Sequence, residues 1–329
     1  MSVPKVCVVG CGHWGKNLVR NFAALDALAL VCDLGEQGRQ KAAELVPDVP
    51  VTGDLDAVFG SDVDGVVFAT PAETHAKLAR VALESGKDVF VEKPLALDQK
   101  EAADLVALAQ ERGRMLMVGH VLEYHPAIRR IVSMVHEGDL GKLQYVYSNR
   151  LNLGKIRTEE NILWSFAPHD VAIILRMVGS APLQVTSVGA NYITANVADA
   201  TVSTMLFDNG VRAHVFVSWL NPFKEQRLVV TGSKAMVTYD DVTKELVLHD
   251  KRVELGDAGP VAVKGEGTLL EFDDDEPLRL ECEAFLESIR TRSPALTDGV
   301  SGLHTLRVLQ AAQRSLMTGG EPVSLHRLD

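Results

Sequence analysis

Residues 6–15 read Val6-Cys7-Val8-Val9-Gly10-Cys11-Gly12-His13-Trp14-Gly15. Four apolar residues in succession suit a strand buried on both faces, as in a parallel sheet covered by helices. The G-x-G-x-x-G that follows has a division of labour. Gly10 permits a tight turn, Gly12 lets a pyrophosphate approach the backbone, and Gly15 lets the next helix pack close to the strand. The phosphates then meet the N-terminus of that helix. Such a motif is weak by itself, so its context decides. Here it follows a strand pattern and opens a helical one, Lys16 to Leu25. Asp33 stands 18 residues beyond Gly15, at the end of the second apolar run Leu28 to Cys32. A carboxylate there takes the ribose hydroxyls and repels the extra phosphate of NADP, so NAD is the expected cofactor. Gly10, Gly12, His13, Trp14, Gly15 and Asp33 are its candidate contacts. Arg39 reads as a solvated side chain on the following helix.

The alternation continues outward from this stretch. Helical spacing spans Gln37 to Val46, Glu73 to Ser85, and Asp98 to Arg112 with Gly113 behind it. Short apolar runs stand between them: Val66 to Ala69, Val89 to Val91 and Met115 to Val118. Strand and helix in turn imply a parallel sheet with right-handed crossovers, an α/β doubly wound Rossmann domain over residues 1–120. Ligands in such sheets lie beyond the carboxyl ends of the strands. Thr70 and Pro71, Glu92 and Lys93, and His120 therefore join the cofactor candidates. Tyr124 follows the last strand and is a candidate for substrate contact.

The bulk numbers close off other classes. Of 329 residues, 47% are hydrophobic and 23% charged, an ordinary balance for two cores. The net charge of −11 and the lack of a Lys/Arg cluster argue against nucleic acid. The four cysteines form no CxxC pair, and Cys7 and Cys32 lie in strand patterns, so neither a disulfide framework nor a metal site is expected. No apolar run is long enough to span a membrane, and Met1 to Lys5 leads straight into a strand pattern without a signal peptide. The expected setting is cytoplasmic.

Four signatures fall in order along the chain: the Gly10 to Gly15 turn, Ala69-Thr70-Pro71 with His75, Glu92-Lys93-Pro94, and His169-Asp170. Together they resemble the glucose–fructose oxidoreductase/inositol dehydrogenase (Gfo/Idh/MocA) family over essentially the whole chain. The resemblance adds His75 to the cofactor candidates. It implies that Lys93 reaches the substrate hydroxyl near the nicotinamide and that Pro94 follows a cis peptide.

From Gly141 onward strand patterns follow one another across short turns, among them Leu143 to Leu153, Thr201 to Phe207, Val211 to Trp219 and Glu245 to His249. Asp208-Asn209-Gly210 is a strong hairpin signal. Residues 121–329 thus read as an α+β domain with a mostly antiparallel, open-faced sheet. One helix is expected near His169 to Met177, and two late ones, Glu276 to Arg290 and Gly302 to Leu316, are expected to return to the first domain. In the family the open face packs on another subunit, which implies a homo-oligomer, dimer or tetramer.

The segment Asn161 to Asp170 carries the most specific chemistry of this half. Many relatives place an aspartate four residues before the histidine; here that position is Ser165. His169 and Lys93 are left as the catalytic pair. Histidine suits a general base because its ordinary pKa of about 6.5 is close to working pH; lysine would need a strongly lowered pKa, which a cationic pyridinium nearby would favour, so the two roles could be exchanged. Residues 151–157 and 164–170 are similar to those of family members that oxidise the C3 hydroxyl of UDP-N-acetylglucosamine. That implies a UDP-sugar substrate and an aminotransferase acting on the ketone in lipid A or surface-glycan synthesis. Arg157, Asn161, Trp164, Ser165 and Asp170 are the further candidates for substrate contact; an Arg suits a pyrophosphate through bidentate bonds. Another polyol such as an inositol, or a glycoside, is the alternative substrate.

Overall fold

The computed structural model describes residues 3–325. In chain order the elements are β1 (Val6–Val9), α1 (Gly15–Ala24), β2 (Leu28–Cys32), α2 (Glu36–Leu45), β3 (Val51–Thr52), α3 (Leu55–Phe59), β4 (Gly65–Phe68), α4 (Ala72–Glu84), β5 (Asp88–Glu92), α5 (Gln99–Arg112) and β6 (Leu116–Gly119). Then come α6 (Pro126–Glu137), β7 (Leu143–Leu151), α7 (Ile162–Val178), β8 (Gln184–Ala190), β9 (Ala200–Leu206), β10 (Arg212–Ser218), β11 (Glu225–Gly232), β12 (Met236–Asp240), β13 (Glu245–Gly256) and β14 (Gly259–Leu270). The chain finishes with α8 (Pro277–Thr291), α9 (Gly299–Met317) and β15 (Val323–Ser324).

The chain divides into two compact units. The first runs through Tyr124 and takes up Asp275–Leu306 as well; the second is His125–Asp274 together with the residues from Arg307 on. The boundary therefore falls inside α9.

The first unit is a six-stranded sheet in the order β3-β2-β1-β4-β5-β6, parallel throughout. This is the doubly wound arrangement that the alternating pattern calls for. Every residue of β1, β4, β5 and β6 is buried, which is why those runs carry no polar alternation. The helix punctuation is local chemistry. The Asp98 side chain accepts from the Lys100 and Glu101 amides to start α5, and Gly113 at φ 59° ends it. The core gathers Val8, Leu18, Phe22, Val67 and Phe90, and α8 adds Phe285 and Ile289 to it. Phe285 meets Phe22 and Phe90 edge to face. It can do so because residue 65 is glycine: a Cβ there would come within 3.0 Å of both Phe285 and Ile289.

The second unit is a nine-stranded sheet, β14-β13-β12-β11-β7-β10-β9-β8-β15. All its pairings are antiparallel except β7 with β10. Helix α7 packs on β7, β9 and β10. Three differences from the sequence reading have physical causes. Helix α6 lacks an expectation altogether, although His125 caps it, Pro126 occupies its first turn and Gly138 at φ 81° stops it. Helix α7 starts at Ile162 rather than near His169, capped by Asn161, with Pro168 inside it. That proline cannot donate to the Trp164 carbonyl, and the helix continues past it. Strand β13 runs seven residues beyond His249 and pairs with the unanticipated β14.

Candidate active site

The Gly-rich turn is built as a cradle. Gly10 sits at φ 96°, and a Cβ on it would lie 2.6 Å from the Ala69 carbonyl oxygen. A Cβ on Gly15 would fall 1.9 Å from the Gly10 oxygen, so this glycine closes the turn onto the helix. Around a Cβ on Gly12 there is nothing within 4 Å. The three glycines thus separate into two that the fold requires and one that leaves room for a ligand. Asp33 ties in from the end of β2: one carboxylate oxygen accepts from the Cys11 amide at 2.7 Å and the other from the Gly35 amide at 2.8 Å. Gly38 is the counterpart of that placement, since a Cβ there would sit 2.1 Å from the same carboxylate. Open space over Gly12, exposed amides at a helix start and a fixed carboxylate beyond them fit a dinucleotide. Arg39 is not simply solvated: its guanidinium donates to the Asp33 and Leu34 carbonyls and to Glu36.

At the far end of the sheet the expected residues cluster on β4, β5 and β6. The Lys93–Pro94 peptide is cis. Lys93 is half-buried. Glu92 is buried, accepts from the indole N–H of Trp14 and lies 3.3 Å from its neighbour's amide on Lys93. Gly119 of β6 makes space for it, because a Cβ there would stand 2.8 Å from the carboxylate. The carboxyl is pushed up to about 7, chiefly by burial, with the Trp14 bond and Lys93 opposing. Trp14, which is 41% exposed, thereby links the pyrophosphate turn to the Lys93 turn. His13 and Pro71 are exposed and Thr70 half-buried, with the Thr70 hydroxyl 2.7 Å from that of Thr74.

Two expected contacts of this unit are placed differently. His75 is 1% exposed, and its ring nitrogens lie 2.7 Å from the Pro94 carbonyl and 2.9 Å from that of Thr70. It braces the two turns from beneath instead of facing a cofactor, and burial holds its pKa below the ordinary value. Tyr124 is 3% exposed, belongs to the core cluster, and has its hydroxyl 3.1 Å from that of Thr297. It packs the unit rather than presenting a face to substrate. His120 is buried at the end of β6.

The second unit assembles its candidates on α7 and the loop before it. His169 is half-buried on α7, one turn after Ser165, which is buried. Asp170 is held on both oxygens: Ser148 donates to Oδ1 at 2.6 Å, and Arg150 donates to Oδ2 at 2.9 Å and to Oδ1 at 3.0 Å. That clamp pins the helix bearing His169 onto β7 and occupies the carboxylate that the sequence offers to substrate. Asn161 and Trp164 meet on one partner: both donate to the Gln313 side-chain oxygen of α9, at 2.8 and 3.0 Å. Arg157 pairs with Glu160 at 2.7 Å on the preceding loop. Arg150 and Gln313 escape a sequence reading, because a single polar residue inside a strand or a helix carries no spacing signal.

Residues 4–120 match the family described as an oxidoreductase family with an NAD-binding Rossmann fold, and residues 128–238 match the GFO/IDH/MocA C-terminal domain. The UDP-N-acetylglucosamine 3-dehydrogenase of Acidithiobacillus ferrooxidans is 30% identical over 308 residues, 93% of this chain and 94% of the relative. The chain belongs to the Gfo/Idh/MocA family. It is an NAD-binding oxidoreductase. A solved structure of the Acidithiobacillus ferrooxidans enzyme superposes with a TM-score of 0.85 at 26% identity, covering 97% of this chain and 99% of that one. The inositol 2-dehydrogenase of Mycolicibacterium smegmatis is 35% identical, but over only 147 residues, 43% of each chain. No helix among the described residues is long and apolar enough to cross a membrane.

Proposed function

We propose that this oxidoreductase converts the C3 hydroxyl of UDP-N-acetylglucosamine to the ketone. The observation that carries the reading is the near-complete correspondence, at 30% identity, with a dehydrogenase of that name. The inositol relative shares less than half of the chain. NAD supplies the hydride acceptor when bound. It would be held by the Gly10 to Gly15 turn, Asp33, and the strand ends at Thr70 and Lys93. His169 takes the hydroxyl proton as general base. Lys93 donates a hydrogen bond to the same oxygen and stabilises the charge that develops there. Arg157 and Asn161 stand on the loop leading into α7, where a pyrophosphate and a sugar would be met. The resulting ketone suits an aminotransferase, and the reading extends to cytoplasmic synthesis of lipid A or another surface glycan.

One side of the nine-stranded sheet carries half-buried or exposed Tyr145, Tyr147, Val188, Val202 and His214. We assign a second copy of the chain to that face, giving a dimer or tetramer by sedimentation.

Absorbance at the NADH band tests the assignment. NAD with UDP-N-acetylglucosamine is expected to give NADH, and His169→Ala to abolish it. Ketone formation by mass without NADH, in the presence of 2-oxoglutarate, would mean that the cofactor is recycled on the enzyme. Neither NADH nor ketone would exclude this sugar nucleotide and direct the assay to inositols and glycosides.

A further inference from the structure

The acid beside Lys93 does not stand alone. Glu281 of α8 is completely buried, and neither of its carboxyl oxygens has a hydrogen-bond partner among the described residues. Glu123 is buried as well, on the short 3-10 turn after β6. Helix α8 packs on that turn, and Glu281 feels the charges of both Glu92 and Glu123, so the three form one cluster in the first unit. Three carboxyls in a shared low-dielectric region cannot all be ionised, and protons must be distributed among them at neutral pH.

The position of this cluster on the sheet gives it a consequence. Asp33 at the end of β2 marks the adenosine half, since a carboxylate there takes the ribose hydroxyls. The order β3-β2-β1-β4-β5-β6 then leaves β5 and β6, with Glu92 and Gly119 at their ends, to the nicotinamide half. The oxidised and reduced cofactors share the same pyrophosphate and adenosine. They differ by one positive charge on the nicotinamide ring. An ionised Glu92 attracts that charge, and a protonated Glu92 does not.

We propose that Glu92, backed by Glu123 and Glu281, selects between NAD and NADH in a proton-linked manner. The charged and titratable groups around Glu92 set the sign. From the Gly-rich turn the Trp14 indole N–H stabilises the carboxylate, and on its own strand end Lys93 does the same. From α8, Glu281 is coupled to it, so that the two do not both ionise in this range. Ionisation therefore comes in the neutral range, and preference for NAD rises as pH rises through it. Linkage requires the converse: NAD expels a proton that NADH leaves in place. The inference rests on NAD binding alone and is independent of the sugar.

The test is direct titration of the full-length enzyme with NAD and with NADH at pH 6, 7 and 8, without any sugar. The ratio of the NADH to the NAD dissociation constant is expected to rise about tenfold over that range. In Glu92→Gln the ratio should be flat. In Trp14→Phe, which removes the indole donor that stabilises the carboxylate, the rise should be centred at higher pH. Proton release on NAD binding, read from titrations in buffers of different ionisation enthalpy, should be lost in Glu92→Gln. A constant ratio in the unaltered enzyme, or an unchanged rise in Glu92→Gln, would overturn the proposal. Were Glu92→Gln to fail to fold, an unmoved midpoint in Trp14→Phe would do the same. A sugar assay that fails leaves this titration intact, so the two readings fall separately.

Discussion

Asp199 and Glu281 are both fully buried acids, one in each unit, and their surroundings are opposite. Asp199 accepts from the Trp219 indole N–H at 2.5 Å and from the Tyr192 and Ile193 amides at 2.5 and 2.9 Å. Burial disfavours its charge, but the three donors outweigh burial and hold the carboxyl below its ordinary range. Glu281 has no donor among the described residues, and burial pushes its carboxyl far up, with Glu92 and Glu123 adding to the push. The second unit spends its buried acids on architecture. The first unit also has an architectural acid, Asp88, which accepts from the Met115 amide and the Arg292 guanidinium, but it leaves Glu281 without a donor among the described residues. Unsatisfied buried acids cost stability, so their position beside Lys93 and Trp14 is where a functional return is to be sought.

The sharpest way to break this contrast is Asp170→Ala. It strands the Arg150 guanidinium, whose side chain is 14% exposed. Removing one partner of a buried pair costs about 3–5 kcal/mol. Denaturant unfolding should show that loss, and His169 on the same helix should lose activity with it. A loss below about 1 kcal/mol would mean that the clamp is not what holds α7 on β7. Asp199→Ala comes next. It leaves two backbone amides and one indole N–H without their acceptor, at a cost of about 2–3 kcal/mol. NAD affinity should stay unchanged, because every partner of Asp199 lies in the second unit.

Legibility divides along the same line. The first unit could be read almost element by element, since strands buried on both faces and capped helices leave continuous apolar runs and punctuation such as Asp98 and Gly113. Its motif glycines could be read too: Gly10 and Gly15 answer a steric demand of the turn, and Gly12 leaves space open. The second unit shows its strands, but α6 passes unnoticed despite Pro126 and Gly138, and Asn161 is identifiable as a cap only once α7 is seen to start at Ile162. Partnerships were the least legible. Nothing in the spacing pairs Arg150 with Asp170 or brings Gln313 to Trp164, and His75 reads as a ligand contact until its ring is found between two carbonyls. Glu281 gives no sequence signal at all: on an amphipathic helix an isolated glutamate reads as a solvated one.

The acids of the two units should also respond to pH in opposite directions. The Asp199 carboxyl is depressed on folding, so its contribution is present above the unfolded value of about 4 and is lost as pH falls through the folded one. The Glu92 carboxyl is raised, so its contribution is complete below about 4.3 and is lost as pH climbs toward about 7. Unfolding followed from pH 3 to 8 should therefore rise and then decline before neutrality. Glu92→Gln should make the decline shallower, leaving the part that Glu281 supplies, and Asp199→Asn should remove the steep acid limb. A decline of unchanged depth in Glu92→Gln would assign the neutral-range titration to another group.

The smallest effect expected is a gain. Glu281→Leu replaces a buried acid that has no hydrogen-bond partner by an apolar side chain of similar size among Leu278, Phe285 and Ile289. Removing a polar group that makes no compensating bond is neutral or stabilising, here by about 1 kcal/mol. The sign can be checked by pH. With its folded carboxyl raised, Glu281 costs nothing extra in acid and progressively more as pH rises above its unfolded value. The melting temperature of Glu281→Leu should therefore exceed that of the unaltered protein more at pH 8 than at pH 5. Equal gains at both would mean better packing alone, with no titration behind it. A loss at both would mean that Glu281 holds the cluster together, and the contrast with Asp199 would disappear.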